Sequence, residues 1–297
     1  MTMDERAQRE AHQLRTAVGV WRHSDRLIVV RGDERLDWMS GMITQECKSM
    51  RAGESRYAAA VHEKGKLFGD LFIHCANDEI YVVAPEQTAQ QLVEHFESHI
   101  IMEDVEVTLD PMLWVVTAQG PASEGLENTG SYLADRLGRG GRDWIVRDEA
   151  SADALVQTLV SLGATAVSEE GRELARIEAG IPRFGVDFGT TNYVQEADIT
   201  RRAVSFNKGC YVGQEVVCRL EMRGHVRRQL VAFVMDGAPP PPGTSLDQET
   251  GTITSSAFSQ ELGKTVGLAM VKWDIAKERK DISLAGVVGT LVERPIQ

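Results

Sequence analysis

Lys208-Gly209-Cys210-Tyr211-Val212-Gly213-Gln214-Glu215, preceded by Phe206-Asn207, is the most informative segment of this 297-residue chain. Two glycines four apart let the backbone turn tightly or approach a ligand closely. A lysine two residues before Cys210 favours the thiolate where the two side chains converge. Cys210 is then a candidate nucleophile or metal ligand, with Lys208 to activate it. The same spacing also suits a buried cysteine in a glycine-containing turn, since free cysteine is among the most buried residue types.

Upstream of the segment, Asp153 to Leu162 has helical apolar spacing, Ala164 to Val167 reads as a short strand, and Glu169 to Ala179 as a helix that stops before Gly180 and Pro182. By residue type alone, Glu178 at the end of that helix is a solvated carboxylate paired with Arg172 or Arg176. Downstream, Ala238-Pro239-Pro240-Pro241-Pro242-Gly243 cannot continue a central strand, because proline lacks the ladder donor and fixes φ. Beyond it, Gly251 to Ala257, Lys264 to Val271 and Gly286 to Val292 are short, β-branched and punctuated by glycine. They predict a small all-β barrel or sandwich beginning near Val226.

The N-terminal half reads as strands and helices in alternation. Asp25 to Val30 is a strand that stops at Gly32, and a helix follows with Asp33 as its cap and Leu36, Met39 and Ile43 on one face. Arg56 to His62, Leu67 to Cys75 and Glu79 to Val83 form an antiparallel meander. Pro85 opens a helix to about Ile100 with Leu92, Phe96 and Ile100 buried, and Val105 to Leu109 and Leu113 to Thr117 are two more strands. The sum is an α+β fold: a body over residues 1–225 and a β-barrel domain over 226–297. His95 and His99 have the spacing of two metal ligands on a helix, but with no third ligand nearby they are expected to be an exposed pair and no metal site. Asp70, after Gly69 at the head of a hydrophobic run, has the pattern of a turn residue.

Net charge is −12 and the sequence pI is about 5.1, so nucleic acid and anionic lipid are disfavoured partners. Any anionic ligand must meet a local basic pocket, and Arg201, Arg202, Arg223, Arg227 and Arg228 gather around the cysteine segment. Four cysteines without a Cys-x-x-Cys pair predict reduced thiols. With neither a signal-peptide pattern nor an 18-residue apolar run, a cytoplasmic protein is expected, an import signal removed from a mature organellar protein being the other possibility.

The cysteine segment matches, at every defined position, the Lys-Gly-Cys-Tyr-x-Gly-Gln-Glu signature of the YgfZ family, so the chain resembles those folate-binding iron-sulfur assembly factors. Arg176-Ile177-Glu178-Ala179-Gly180-Ile181-Pro182, Gly185-Val186-Asp187-Phe188 and Gln195-Glu196-Ala197 resemble the central block shared with the aminomethyltransferase (T-protein) of glycine cleavage. Thr252 to Val271 is similar to that superfamily's C-terminal barrel. The resemblance implies an aminomethyltransferase-like body of antiparallel sheets and helices with a small β-barrel appended. It implies tetrahydrofolate as cofactor, bound by Glu178, Asp70, Arg202 and Tyr211, with Glu178 on the pterin and an arginine on the glutamyl tail. It also implies that Cys210, Asp70 and Lys208 carry the chemistry and that iron-sulfur client or assembly proteins are partners. A cluster at Cys210 would need further ligands from such a partner, because the other cysteines are badly spaced for a complete site. The alternative is a tetrahydrofolate-dependent aminomethyltransferase or other one-carbon transfer enzyme. Gly69 stands where the transferases usually carry an acid, which weighs against it.

Overall fold

The computed structural model describes residues 3–126, 130–222 and 224–294. The first half runs α1 (Met3–Thr16), β1 (Gly19–His23), β2 (Arg26–Arg31), α2 (Arg35–Met42), β3 (Ser55–Val61), β4 (Leu67–Cys75), β5 (Glu79–Ala84), α3 (Ala89–Glu97), β6 (Glu106–Leu109) and β7 (Leu113–Gln119). Then come β8 (Ser131–Leu133), β9 (Gly141–Arg147), α4 (Glu149–Ser161), β10 (Thr165–Ala166), α5 (Glu169–Glu178), α6 (Thr200–Ala203) and α7 (Gln214–Met222). The remainder is β11 (Arg228–Met235), β12 (Gly251–Ser259), β13 (Lys264–Lys272), α8 (Trp273–Glu278), β14 (Ile282–Leu284) and β15 (Val287–Val292).

These strands form three five-stranded sheets, ordered β3-β4-β5-β2-β6, β10-β1-β7-β9-β8 and β12-β13-β11-β15-β14. Every pairing is antiparallel except β1 with β10. In β2 the continuous apolar run Leu27 to Val30 is fully buried because both faces of its sheet are covered. Ile28 and Val30 face α2 and α3, while Leu27 and Val29 meet Leu113 and Val115 of the second sheet. Helix α1, polar by composition, buries Ala7, Glu10, Ala11 and Leu14 at helical spacing and lies along α5. The third sheet is the C-terminal β-structure expected from the sequence, curled antiparallel, with β12 and β14 as its edges.

Two predicted helix starts shift. The cap of α2 is Glu34, not Asp33, and the N–H of Asp33 instead donates to the Asp104 carboxylate at 3.1 Å. Helix α3 begins at Ala89, not Pro85, because the Pro85 carbonyl first closes a turn by accepting the N–H groups of Thr88 and Ala89 at 3.1 and 3.0 Å. Strand β1, helix α7 and the pair β8 and β9 went unpredicted, being short or rich in charged side chains.

Candidate functional site

Side chains alternate across a strand, so once Leu71, Ile73 and Cys75 of β4 turn into the core beside α2 and α3, Asp70, Phe72 and His74 must turn toward the second sheet. That alternation makes one wall of a cavity of about 200 Å³. Tyr57, on the neighbouring strand β3, donates its hydroxyl hydrogen to Asp70 Oδ2 at 2.8 Å, and its ring lies 5.0 Å from that of Phe72. The other walls are Trp21 and His23 of β1, Asp25 before β2, Arg136, and one face of α5 carrying Glu169, Arg172, Glu173 and Arg176. Spacings of three, four and seven residues put those four α5 side chains on one stripe. Pro182, Phe184 and Arg202 close the rim.

Polar order in the cavity centres on one guanidinium. Arg136 lies over the Phe72 ring at 4.3 Å and holds Asp143 with two bonds, Nε to Oδ1 at 3.2 Å and Nη2 to Oδ2 at 2.5 Å. Asp143 also contacts His74 Nε2 at 3.2 Å, and both of those side chains are fully buried. Burial alone would raise the Asp143 pKa, but Arg136 and His74 outweigh it and hold the carboxyl well below the usual range. Asp70 shifts the other way: burial raises it, only partly offset by the Tyr57 hydroxyl. Burial also raises Asp25, to about 7, and lowers His23.

Of the residues singled out by sequence, Asp70 and Arg202 come together here. Arg202 lies over the Tyr57 ring at 4.9 Å and donates to the Asp135 carbonyl at 2.5 Å. Glu178 does not reach the cavity. Two residues past Arg176 it is turned about 200° around the helix, to Arg15 Nη1 at 2.9 Å and Ser259 Oγ at 2.6 Å, tying α5 to α1 and β12. Neither is it solvated, nor paired with Arg172 or Arg176; the acids that α5 offers the cavity are Glu169 and Glu173. Arg176 is occupied by Glu173, Asp187 and Ser255. Arg201 lines an adjoining cleft that shares Arg202, Leu137, Ile181 and Pro182 with the cavity. Arg228 lies 3.8 Å from Glu196, and Arg223 falls outside the described residues.

The cysteine segment forms its own turn. Lys208 does not activate Cys210: its ammonium donates to the carbonyls of Ser40, Ile43 (2.7 Å) and Gln45 (2.8 Å) at the end of α2. Burial lowers its pKa to about 8. Tyr211 is buried in a hydrophobic cluster with Val61, Leu67 and Val217 and is not among the residues that line the cavity. Gly213, at φ +77°, lets the chain pass where a Cβ would stand 2.4 Å from the His62 carbonyl. These three anchors leave Cys210 itself exposed. The alternative of a buried cysteine fails, and so does the expectation of an exposed His95: its ring lies 4.5 Å from Phe68, and burial lowers its pKa to about 4.

Sequence reasoning missed Asp25, Tyr57, Phe72, Arg136 and Glu173. Glu173 was readable from the helical stripe of α5, and Tyr57 and Phe72 from strand alternation. Arg136 lies in the irregular stretch between β8 and β9 and leaves no periodic signal.

Comparison with known proteins bears on this architecture. Residues 1–129 match the GCVT N-terminal domain, and residues 228–294 match the glycine cleavage T-protein C-terminal barrel domain. The aminomethyltransferase of Thermotoga maritima is 27% identical over 301 residues, covering 89% of this chain and 80% of that protein. The aminomethyltransferase of Rubrobacter xylanophilus is 25% identical over 272 residues, covering 82% and 73%. The tRNA-modifying protein YgfZ of Sodalis glossinidius is 25% identical over 278 residues, covering 85% and 84%. The crystal structure of the glycine cleavage system aminomethyltransferase T from Bartonella henselae superimposes with a TM-score of 0.84 at 21% identity, covering 98% of this chain and 89% of that one.

Proposed function

We propose that this chain, which carries both domains of the glycine cleavage T-protein and belongs to the aminomethyltransferase-like superfamily, binds tetrahydrofolate and assists iron-sulfur cluster assembly or repair through Cys210. The observation that carries this reading is the presentation of Cys210: Lys208, Tyr211 and Gly213 are spent on anchoring the turn, and Cys210 is left exposed. An exposed thiol can ligate iron together with ligands from a client protein.

The donor set of the cavity fits a reduced pterin. Asp70 and Glu173 are acceptors for the amino and ring N–H groups, Phe72 and Tyr57 offer aromatic surface, and Arg202 and Arg183 at the rim suit the carboxylates of a glutamyl tail. Bound tetrahydrofolate supplies a carrier of one-carbon units. The chain's part is to orient it: Asp70 is fixed by Tyr57, and Glu173 by two bonds to Arg176.

A second reading, aminomethyl transfer to tetrahydrofolate, is favoured by the names of several relatives and by Asp70 standing in the cavity. It requires turnover with an aminomethyl donor, and it gives Cys210 no part. The separating experiment is complementation of cells that lack this protein. Cys210→Ser is expected to fold and to bind tetrahydrofolate while failing to restore iron-sulfur enzyme activity. Full restoration would remove the thiol from the mechanism and leave aminomethyl transfer as the better reading.

A further inference from the structure

Asp25 and Asp70 both line the cavity beside Arg136, and Asp143 holds that guanidinium from outside the lining. Arg136 is committed to Asp143 through two bonds, and its nearest approach to Asp25 is 4.0 Å. Asp70 is satisfied by a neutral hydroxyl, that of Tyr57. Asp25 thus has only a long share of a guanidinium that Asp143 holds more closely, although its side chain is only 25% exposed. Two carboxylates sharing a low-dielectric cavity without a second close cation disfavour full ionisation.

The neighbouring histidine shows which carboxyl holds the proton. His23 Nδ1 accepts the backbone N–H of Asp25 at 3.3 Å, so that nitrogen presents a lone pair, and Asp25 Oδ2 lies 3.3 Å from it. This tautomer follows from the hydrogen-bond network. A lone pair beside a carboxylate oxygen is repulsive, and a neutral acid relieves that repulsion; because the backbone N–H already engages the lone pair, the acid's hydrogen is left for the cavity. The groups facing Asp25 are His23 from β1, Tyr57 from β3, Asp70 from β4, Arg136 and Asp143 across the cavity, and Arg183 at the rim. The burial that raises Asp25 to about 7 agrees with this arrangement.

We propose that Asp25 is a second acid of the ligand site, holding a proton that it donates to an acceptor on the ligand's ring while Asp70 accepts from the ring's donors. The inference rests on the reading of this cavity as the tetrahydrofolate site. Asp25 then selects ligands that offer an acceptor beside a donor, and affinity falls as its proton is lost.

The test is anaerobic calorimetric titration of tetrahydrofolate at pH 6.0 and pH 8.5 into wild type, Asp25→Asn, Asp25→Ala and Asp70→Asn, each checked for folding by circular dichroism. Wild type is expected to bind roughly tenfold or more weakly at the higher pH, as loss of a proton with a pKa near 7 requires. Asp25→Asn keeps an N–H donor and should bind with no pH slope, Asp25→Ala should bind weakly at both values, and Asp70→Asn should keep the wild-type slope. A flat wild-type profile, or an Asp25→Asn slope equal to that of wild type, overturns the role of Asp25. If folded wild type binds no tetrahydrofolate even at pH 6.0, the reading of the cavity fails, and this inference fails with it.

Discussion

Asp25 and Asp70 lie in one cavity, and what separates them is their immediate company. Asp70 has the Tyr57 hydroxyl, and Asp25 has a histidine lone pair. Burial raises the Asp25 pKa to about 7, above its unfolded value of about 3.9, so Asp25 costs no stability below that unfolded value and a growing amount as pH rises toward 7. Asp25→Asn is therefore expected to raise the melting temperature at pH 7.5, with the gain shrinking toward pH 4; an equal gain at both values would contradict the assignment. At this scale the sequence was legible where a residue's role follows from its strand or helix. Asp70 lies inside β4 and is no turn residue as its type suggested; the strand run Leu67 to Cys75 and the resemblance are what place it. Asp25 and Arg136 could not be placed, because their roles arise only where β1, β4 and an irregular stretch meet.

At the scale of elements, the C-terminus of α5 is a joint. Glu178 binds Arg15 of α1 and Ser259 of β12, and its side chain is 7% exposed. Glu178→Ala removes one partner each from Arg15, which keeps Glu261, and from Ser259, and we expect a loss of about 1–3 kcal/mol in urea unfolding. Tetrahydrofolate affinity should be unchanged, whereas a selective loss of binding would return Glu178 to the ligand. The cysteine turn is a second joint, anchored at its start by Lys208 on α2 and at its end by Gly213 against β3. Gly213→Ala meets both a close backbone contact and a left-handed φ, which costs on the order of 1–3 kcal/mol. Its expected signature is faster labelling of Cys218 and buried Cys47 as the turn loosens, read by mass spectrometry. The motif was readable as a turn, but the partners of its lysine were not. Lys208 stands two residues from Cys210 in sequence, yet its ammonium lies under a helix end more than 160 residues away along the chain.

For the molecule as a whole, the cavity exists because two sheets face each other, and the Arg136–Asp143–His74 network spans them, with His74 on β4 and Asp143 on β9. The carboxyl of Asp143 is held below its ordinary range, so its stabilising contribution is full above about pH 4 and is lost as pH falls below that. Asp143→Asn should cost about 3–5 kcal/mol at neutral pH, because it takes from buried Arg136 its close carboxylate and leaves only Asp25 at 4.0 Å. The third sheet is fastened to the same body by Asp187, which accepts from Thr254 and Ser255, each at 2.6 Å, and by Arg294, which donates to the Gly180 carbonyl at 2.9 Å. The strand runs made the α+β class and the separate C-terminal sheet readable in the sequence. They could not show that the sheets enclose a site, since facing is a property of side chains far apart in the chain. The central claim is that this enclosure holds tetrahydrofolate while Cys210 serves a separate step. Anaerobic titration of tetrahydrofolate into folded wild type, Asp70→Asn and Cys210→Ser tests it most directly. The account predicts saturable binding of equal affinity by wild type and Cys210→Ser, and binding at least about tenfold weaker by Asp70→Asn. It is contradicted if folded wild type binds nothing, or if binding is lost in Cys210→Ser and kept in Asp70→Asn.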